Sequence, residues 1–335
     1  MPEQTSPADD LGLSAAPPPQ SDFAQPSPLL YDYAPPPRRT NPLRVWPVFV
    51  AWVSVFPIMI LVWFIAFAIW FAVGAIHGTP IRDAQAHTKD ILREPLFLIP
   101  VLLAISLGNA GIALCGGFLS PLKVVRRLAL NPGTASWGAL ILLSIGTLAA
   151  GMVGINIVQL IGIHANQGSN QIITDMARNS SRAAYATLLL VVSVCPAVCE
   201  ELLFRGYAQT RLVARWGSIA GIAVATLMFA ISHLDPVQTP DMLFLGSYLG
   251  WTAWRTGSTR TSMLCHLVNN ALAVGLSMIP AKLGDPTEPN THAHMLIATG
   301  IGLTVCAICT WSANRTLPPR AAMGTMAEDS KIVGV

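Results

Sequence analysis

The chain has 335 residues, 53% hydrophobic and 11% charged, with a formal net charge of +3 and a mean hydropathy of +0.54. Soluble domains carry roughly 25% charged residues, so this composition excludes a soluble globular protein and predicts an all-α, polytopic membrane helical bundle. No basic cluster suggests nucleic acid as a partner.

Residues 1–43 read as a disordered proline-rich tail. Eleven of the 26 prolines fall within the first 42 residues, in runs such as Ala16-Pro17-Pro18-Pro19 and Ala34-Pro35-Pro36-Pro37, a composition that cannot bury a core. The apolar run that follows begins too late and is too long for a cleavable signal peptide. A helical span needs about 20 apolar residues. Eight candidate segments follow, over Val45–Ile76, Leu96–Leu119, Trp137–Ile163, Ala183–Leu203, Ser218–Ser232, Met242–Trp254, Ser262–Ile279 and Met295–Trp311. The fifth and sixth are short and glycine-bearing, which fits tilted or partly re-entrant helices. The bundle thus occupies residues 44–316, and a flexible polar tail occupies 317–335.

With the N-terminus inside, 14 of the 20 Lys and Arg residues fall on the inner side, so the positive-inside rule predicts that both termini are cytoplasmic. The six cysteines, Cys115, Cys195, Cys199, Cys265, Cys306 and Cys309, all lie in apolar segments. None forms the loop-spaced Cys-x-x-Cys pairs of a zinc module, so they read as small buried thiols.

Segments one to three hold almost no ionisable residues, whereas the stretch from Glu200 to Asn270 holds several. Carboxylates inside a span cost several kcal/mol when unpaired and are usually functional. At about 100° per residue, Glu201 and Arg205 share a helix face while Glu200 lies about 140° from Arg205. The arginine can therefore neutralise Glu201 and leave Glu200 as a candidate general base. The alternative is a structural ion-pair knot. Phe229 and His233 also share a face, so the ring can limit water around the imidazole; by itself, such a His would be an interfacial cap. The run Phe244-Leu245-Gly246-Ser247-Tyr248-Leu249-Gly250 reads as packing. His266 and Asn270 stack one turn apart, with Asn269 the less natural companion, and alone they would serve equally as interhelical glue. Together, Glu200, His233, His266 and Asn270 predict a polar cavity formed by three segments. Straight segments would leave Glu200 near the inner surface and His233 near the outer one. Bringing them level requires a kink at Pro196, which lacks an N–H and crowds the Val192 carbonyl, or a tilt of segment five.

At Glu200-Glu201-x-x-x-Arg205, Phe229-x-x-x-His233, the Phe244/Gly246/Gly250 run and His266-x-x-x-Asn270, the chain resembles the CPBP family, which includes type II CAAX prenyl proteases and bacteriocin-processing (Abi) membrane proteins. The resemblance covers about Val192 to Val274. It implies an eight-helix intramembrane glutamic endopeptidase with its catalytic region at 183–280. By that resemblance Glu200 and His233 activate water, His266 and Asn270 donate to the oxyanion, and Glu201 and Arg205 hold the base's helix in place. An imidazole N–H and an amide suit the oxyanion role.

The implied partners are the bilayer and a membrane-associated peptide, such as a lipidated C-terminus or a leader peptide. No cofactor is implied. The compact size resembles bacterial members, which places the chain in a cytoplasmic membrane. Three other functions compete. A zinc protease would use Glu200, His233 and His266 as ligands, but no His-Glu-x-x-His pair exists and Asn270 would be idle. A non-catalytic scaffold or bacteriocin-immunity protein gains nothing from burying these polar groups. A proton-coupled transporter would carry broken or polar helices in both halves.

Overall fold

The computed structural model describes residues 44–78, 88–163, 169–277 and 291–318. The proline-rich head, 1–43, and residues 319–335 of the tail lie outside the described residues. Regular structure among the described residues is entirely helical. It comprises α1 (Trp46–Val53), α2 (Val55–Ile76), α3 (Thr88–Ile91), α4 (Pro95–Phe118), α5 (Val124–Arg127), α6 (Trp137–Leu160), α7 (Ser169–Asn179) and α8 (Arg182–Glu201). After α8 come a π-helical stretch (Leu202–Gln209), α9 (Thr210–Trp216), α10 (Ser218–Ile231), α11 (Gln238–Thr256), α12 (Thr259–Ser277) and α13 (Thr291–Thr316).

Five helical runs are long and apolar enough to cross a bilayer: Trp46–Ile76, Pro95–Phe118, Trp137–Leu160, Arg182–Trp216 and His292–Thr316. The other three expected segments exist as α10, α11 and α12. α10 has only 14 residues, about 21 Å of helix. α11 and α12 each have 19 residues but carry much of the polar cluster.

The fourth segment departs most from expectation. It does not end at Leu203; it continues to Trp216, because Leu202–Gln209 turns as a π-helix and all eight of its residues are buried. π-helical turns are rare and tend to occur at functional sites. Two backbone breaks in this run are filled from other elements. Pro196 cannot donate to the Val192 carbonyl, and Asn270 Nδ2 donates to it at 3.4 Å. Near the π turn, the Tyr207 carbonyl accepts from Arg127 Nη2 at 2.9 Å, and Thr210 Oγ1 donates to the Gly206 carbonyl at 2.6 Å.

α6 and α8 form the centre. α6 packs against α11, α12 and α13, while α8 packs against α4 and α12; α10 fits between α9 and α11. α2 lies outside, against α4. One apolar cluster joins Val48, Val55, Ala113, Phe204, Tyr207, Leu212 and Phe229. A second joins Leu143, Leu245, Leu249, Cys265 and Ala313. The loop after α5 is tied to the α11–α12 turn by Thr259, whose Oγ1 donates to the Leu128 carbonyl at 2.8 Å and whose N–H donates to the Ala129 carbonyl at 2.9 Å. All six cysteines are free, and Cys115 is exposed.

Candidate active site

A hairpin sets the depth of the site. α9 and α10 meet at Gly217, whose φ of +83° lies in the left-handed region that glycine adopts without strain. Glu201 lies sixteen residues before Gly217 and His233 sixteen after it, and α10 packs back on α9 and the π-helical stretch, which brings Phe229 and His233 to the level of Arg205. The extension of the fourth segment thus supplies the levelling that was expected from a kink at Pro196 or a tilt of segment five.

At that height Glu201, Arg205 and His266 form a buried cluster, with relative exposures of 0%, 2% and 2%. Glu201 Oε1 pairs with Arg205 Nη1 at 2.9 Å and accepts from His266 Nδ1 at 3.1 Å. The i,i+4 pair is therefore formed as the helical spacing predicts. The link to His266, across 65 residues of sequence, is new. A carboxylate acceptor places a proton on Nδ1 and leaves Nε2 as the ring atom open to other partners. Arg205 Nη2 also donates to the Gly246 carbonyl at 3.2 Å. This contact requires glycine at 246, because a Cβ there would come within 2.9 Å of Phe229 Cδ1. The glycine-rich run of α11 is thus packing, as expected, but also supplies an acceptor for the buried guanidinium.

Phe229 is the hub of the cluster. Its ring meets His233 edge-on at 4.9 Å between centroids, His266 at 6.1 Å and Phe204 at 5.3 Å. The Arg205 guanidinium lies 4.2 Å over its face, a desolvated cation–π contact. His233 Nδ1 is 2.9 Å from the Phe229 carbonyl. One aromatic ring therefore separates the two imidazoles and packs against both.

Asn270 lies one turn beyond His266 on α12 and is held from two sides. Its Nδ2 donates to Val192, while its Oδ1 accepts from Asn269 Nδ2 at 3.2 Å. Asn269, which helical spacing made the less natural companion of His266, instead orients Asn270. Glu200 is half-buried, and among the described residues no hydrogen bond or ion pair joins it to the His233, His266 and Asn270 side chains. The structure thus links Glu201, Arg205, Phe229, His233 and His266 by direct contact, and carries Glu200 and Asn270 on the same two helices.

Sequence reasoning set Asn269 aside as a companion of His266 and missed its bond to Asn270; it also missed the Gly246 carbonyl and Asp235, which lies two residues after His233. Only Asp235 carried a signal, as an acidic residue just beyond an apolar segment. Among the described residues no group of three or more His, Cys, Asp or Glu side chains is arranged to hold a metal ion. Of the zinc ligands considered from sequence, His266 is engaged by Glu201 through Nδ1.

Residues 182–272 match the family model described as type II CAAX prenyl endopeptidase Rce1-like. The match runs from the first residue of α8 into α12, contains every member of the cluster, and leaves α1–α7 and α13 outside. No curated protein and no solved structure matches the chain. This stretch is thus similar to the Rce1-like CAAX-type membrane endopeptidases, in keeping with the family its motifs resemble.

Proposed function

We propose that the chain is an intramembrane endopeptidase of glutamic type that hydrolyses a peptide bond in a membrane-associated substrate. The supporting observation is the occupancy of Glu201. Its Oε1 is shared between Arg205 and His266, so of the two adjacent carboxylates Glu200 is the one left for chemistry. In this reading Glu200 and His233 take a proton from water as it attacks the scissile carbonyl. His266, which has an Nε2–H to offer as well when the ring is an imidazolium paired with Glu201, and Asn270, through Nδ2, then donate to the oxyanion. The long 3.4 Å bond from Asn270 to Val192 is one that a developing negative charge can replace, since hydrogen bonds to an ionised acceptor are roughly twice as strong as neutral ones. Glu201 and Arg205 position His266 and the helix beneath the base.

The family description points to prenylated C-termini ending in C-a-a-X as the substrate class. The basic residues of the intervening loops support a cytoplasmic position for both termini.

The test uses purified full-length chain in lipid nanodiscs, with a farnesylated C-a-a-X peptide and its unprenylated twin as probes. Glu200→Gln is expected to abolish turnover with the fold intact, and chelation is expected to leave the wild-type rate unchanged. Full cleavage by Glu200→Gln together with loss in Glu201→Gln would reverse the two roles. Cleavage surviving both substitutions would remove the glutamic mechanism, and loss on chelation would favour zinc.

A further inference from the structure

α10 ends at Ile231, and His233 follows two residues later in a turn closed by His233 N–H to Ala230 and Leu234 N–H to Ile231. Leu234 has φ of +49°, in the left-handed region where a Cβ is strained. Its side chain is 63% exposed, so its own burial does not offset that strain. Strained residues persist when their surroundings over-determine them, and they cluster at functional sites.

Here the surroundings are supplied by the next residue. Asp235 is 6% exposed and accepts four hydrogen bonds. Oδ1 takes the N–H groups of Val237 at 2.8 Å and Gln238 at 2.9 Å. Oδ2 takes the Ser169 N–H and the Ser169 hydroxyl, each at 2.7 Å. One carboxylate therefore caps the start of α11 and grips the first residue of α7. On the opposite flank, His233 is fixed by its Nδ1 contact to the Phe229 carbonyl and by the ring contact to Phe229. The strained residue lies between the gripped carboxylate and the imidazole.

We propose that Asp235 is a positioning residue for His233. Its carboxylate holds the Leu234 turn closed, and the turn sets where the His233 backbone leaves α10. An aspartate that merely capped α11 would not need Ser169. The added grip on α7 braces the turn against a second helix, so the imidazole is held from a fixed frame. The inference rests on the reading that His233 acts on water with Glu200.

The experiment uses full-length chain in nanodiscs and the farnesylated C-a-a-X peptide, with ¹⁵N-histidine spectra as a substrate-free readout. Asp235→Ala is expected to lower kcat by about tenfold to a hundredfold, as small misplacements of a reacting group do, with little change in KM. It should also shift and broaden the His233 ring resonances. Leu234→Gly, in the otherwise intact chain, should leave kcat unchanged. In the Asp235→Ala background it should restore much of kcat and sharpen the resonances, because glycine takes the left-handed turn unaided. If Asp235→Ala fails to fold, Ser169→Ala, which removes only the hydroxyl donor, should lower kcat severalfold with KM unmoved.

Unaltered kcat and unaltered His233 resonances in Asp235→Ala, or in Ser169→Ala where that variant stands in, overturn the proposal. So does the absence of any rescue by Leu234→Gly. Full turnover by His233→Ala is a separate result, and it would remove the reading beneath the proposal.

Discussion

Two spans of this molecule answer the same solvent in opposite ways. Trp46–Ile76 contains no Asp, Glu, Lys or Arg, and only 17% of its apolar window is buried inside the protein. Arg182–Trp216 contains two Glu and four Arg, and 50% of its window is buried. Lipid satisfies the side chains of the first, so it needs few neighbours. It cannot satisfy Glu201 or Arg205, so α4, α10, α11 and α12 wrap the second. Polar content gives this span its neighbours; α6, buried to the same 50% without an Asp, Glu, Lys or Arg, reaches the centre by apolar packing instead.

The sharpest way to break this contrast is to remove one member of the buried pair. Glu201→Gln or Arg205→Met leaves a charge or its partners uncompensated, which costs about 3–5 kcal/mol in buried pairs. Thermal melting in detergent should show a large loss for each single variant, with the double variant recovering part of it. Equal melting of wild type and singles would mean the centre is not held by charge.

Packing comes next. Leu249, fully buried on α11, should cost about 2–5 kcal/mol as Leu249→Ala, measured by the same melt. A smaller effect is expected from Gly246→Ala, whose methyl would press on Phe229, at about 1–3 kcal/mol. Its further signature is reduced turnover, since Phe229 meets both imidazoles.

Acid should loosen the wrapped region. Burial alone would raise the Asp235 carboxyl, but the hydrogen bonds from Gln238, Ser169 and Val237 outweigh it and hold it below the ordinary aspartate value. Its contribution is therefore complete above the unfolded aspartate pKa of about 3.9 and is lost as pH falls through the lower folded value. Melting temperature between pH 6 and pH 3 should fall more steeply in wild type than in Asp235→Asn. The smallest effect belongs to the first span. Ile60→Ala, at a side chain 70% exposed, should stay within about 0.5 kcal/mol.

What could be read from sequence was local. The Glu201–Arg205 pair and the Phe229–His233 contact follow from helical spacing alone, and both are present. The His266–Glu201 bond was not legible, because it joins two helices whose relative rotation no spacing encodes. The same holds for Asn269, whose value depends on Asn270 being anchored at the Val192 carbonyl, to which Pro196 cannot donate. The length of the fourth segment was missed for a different reason. Arg205, Gln209 and Arg211 look like the polar end of a span, yet Arg205 and Gln209 are buried, with Gln209 Nε2 donating to the Gly250 carbonyl at 2.8 Å. A hydropathy pattern takes them for the water boundary, whereas protein polar groups receive them. The mean composition still pointed correctly to an all-helical membrane bundle.

The equal arms around Gly217 make the α9–α10 hairpin a ruler. Inserting one residue between Gly217 and Phe229 would lift Phe229 and His233 by about 1.5 Å and swing them by about 100°, carrying the aromatic hub off both Arg205 and His266. Length changes in this stretch are therefore intolerable whatever residue is added. Among naturally varying chains of this architecture, the distance from the second glutamate of the doublet to the first histidine should be held constant even where the letters between them drift.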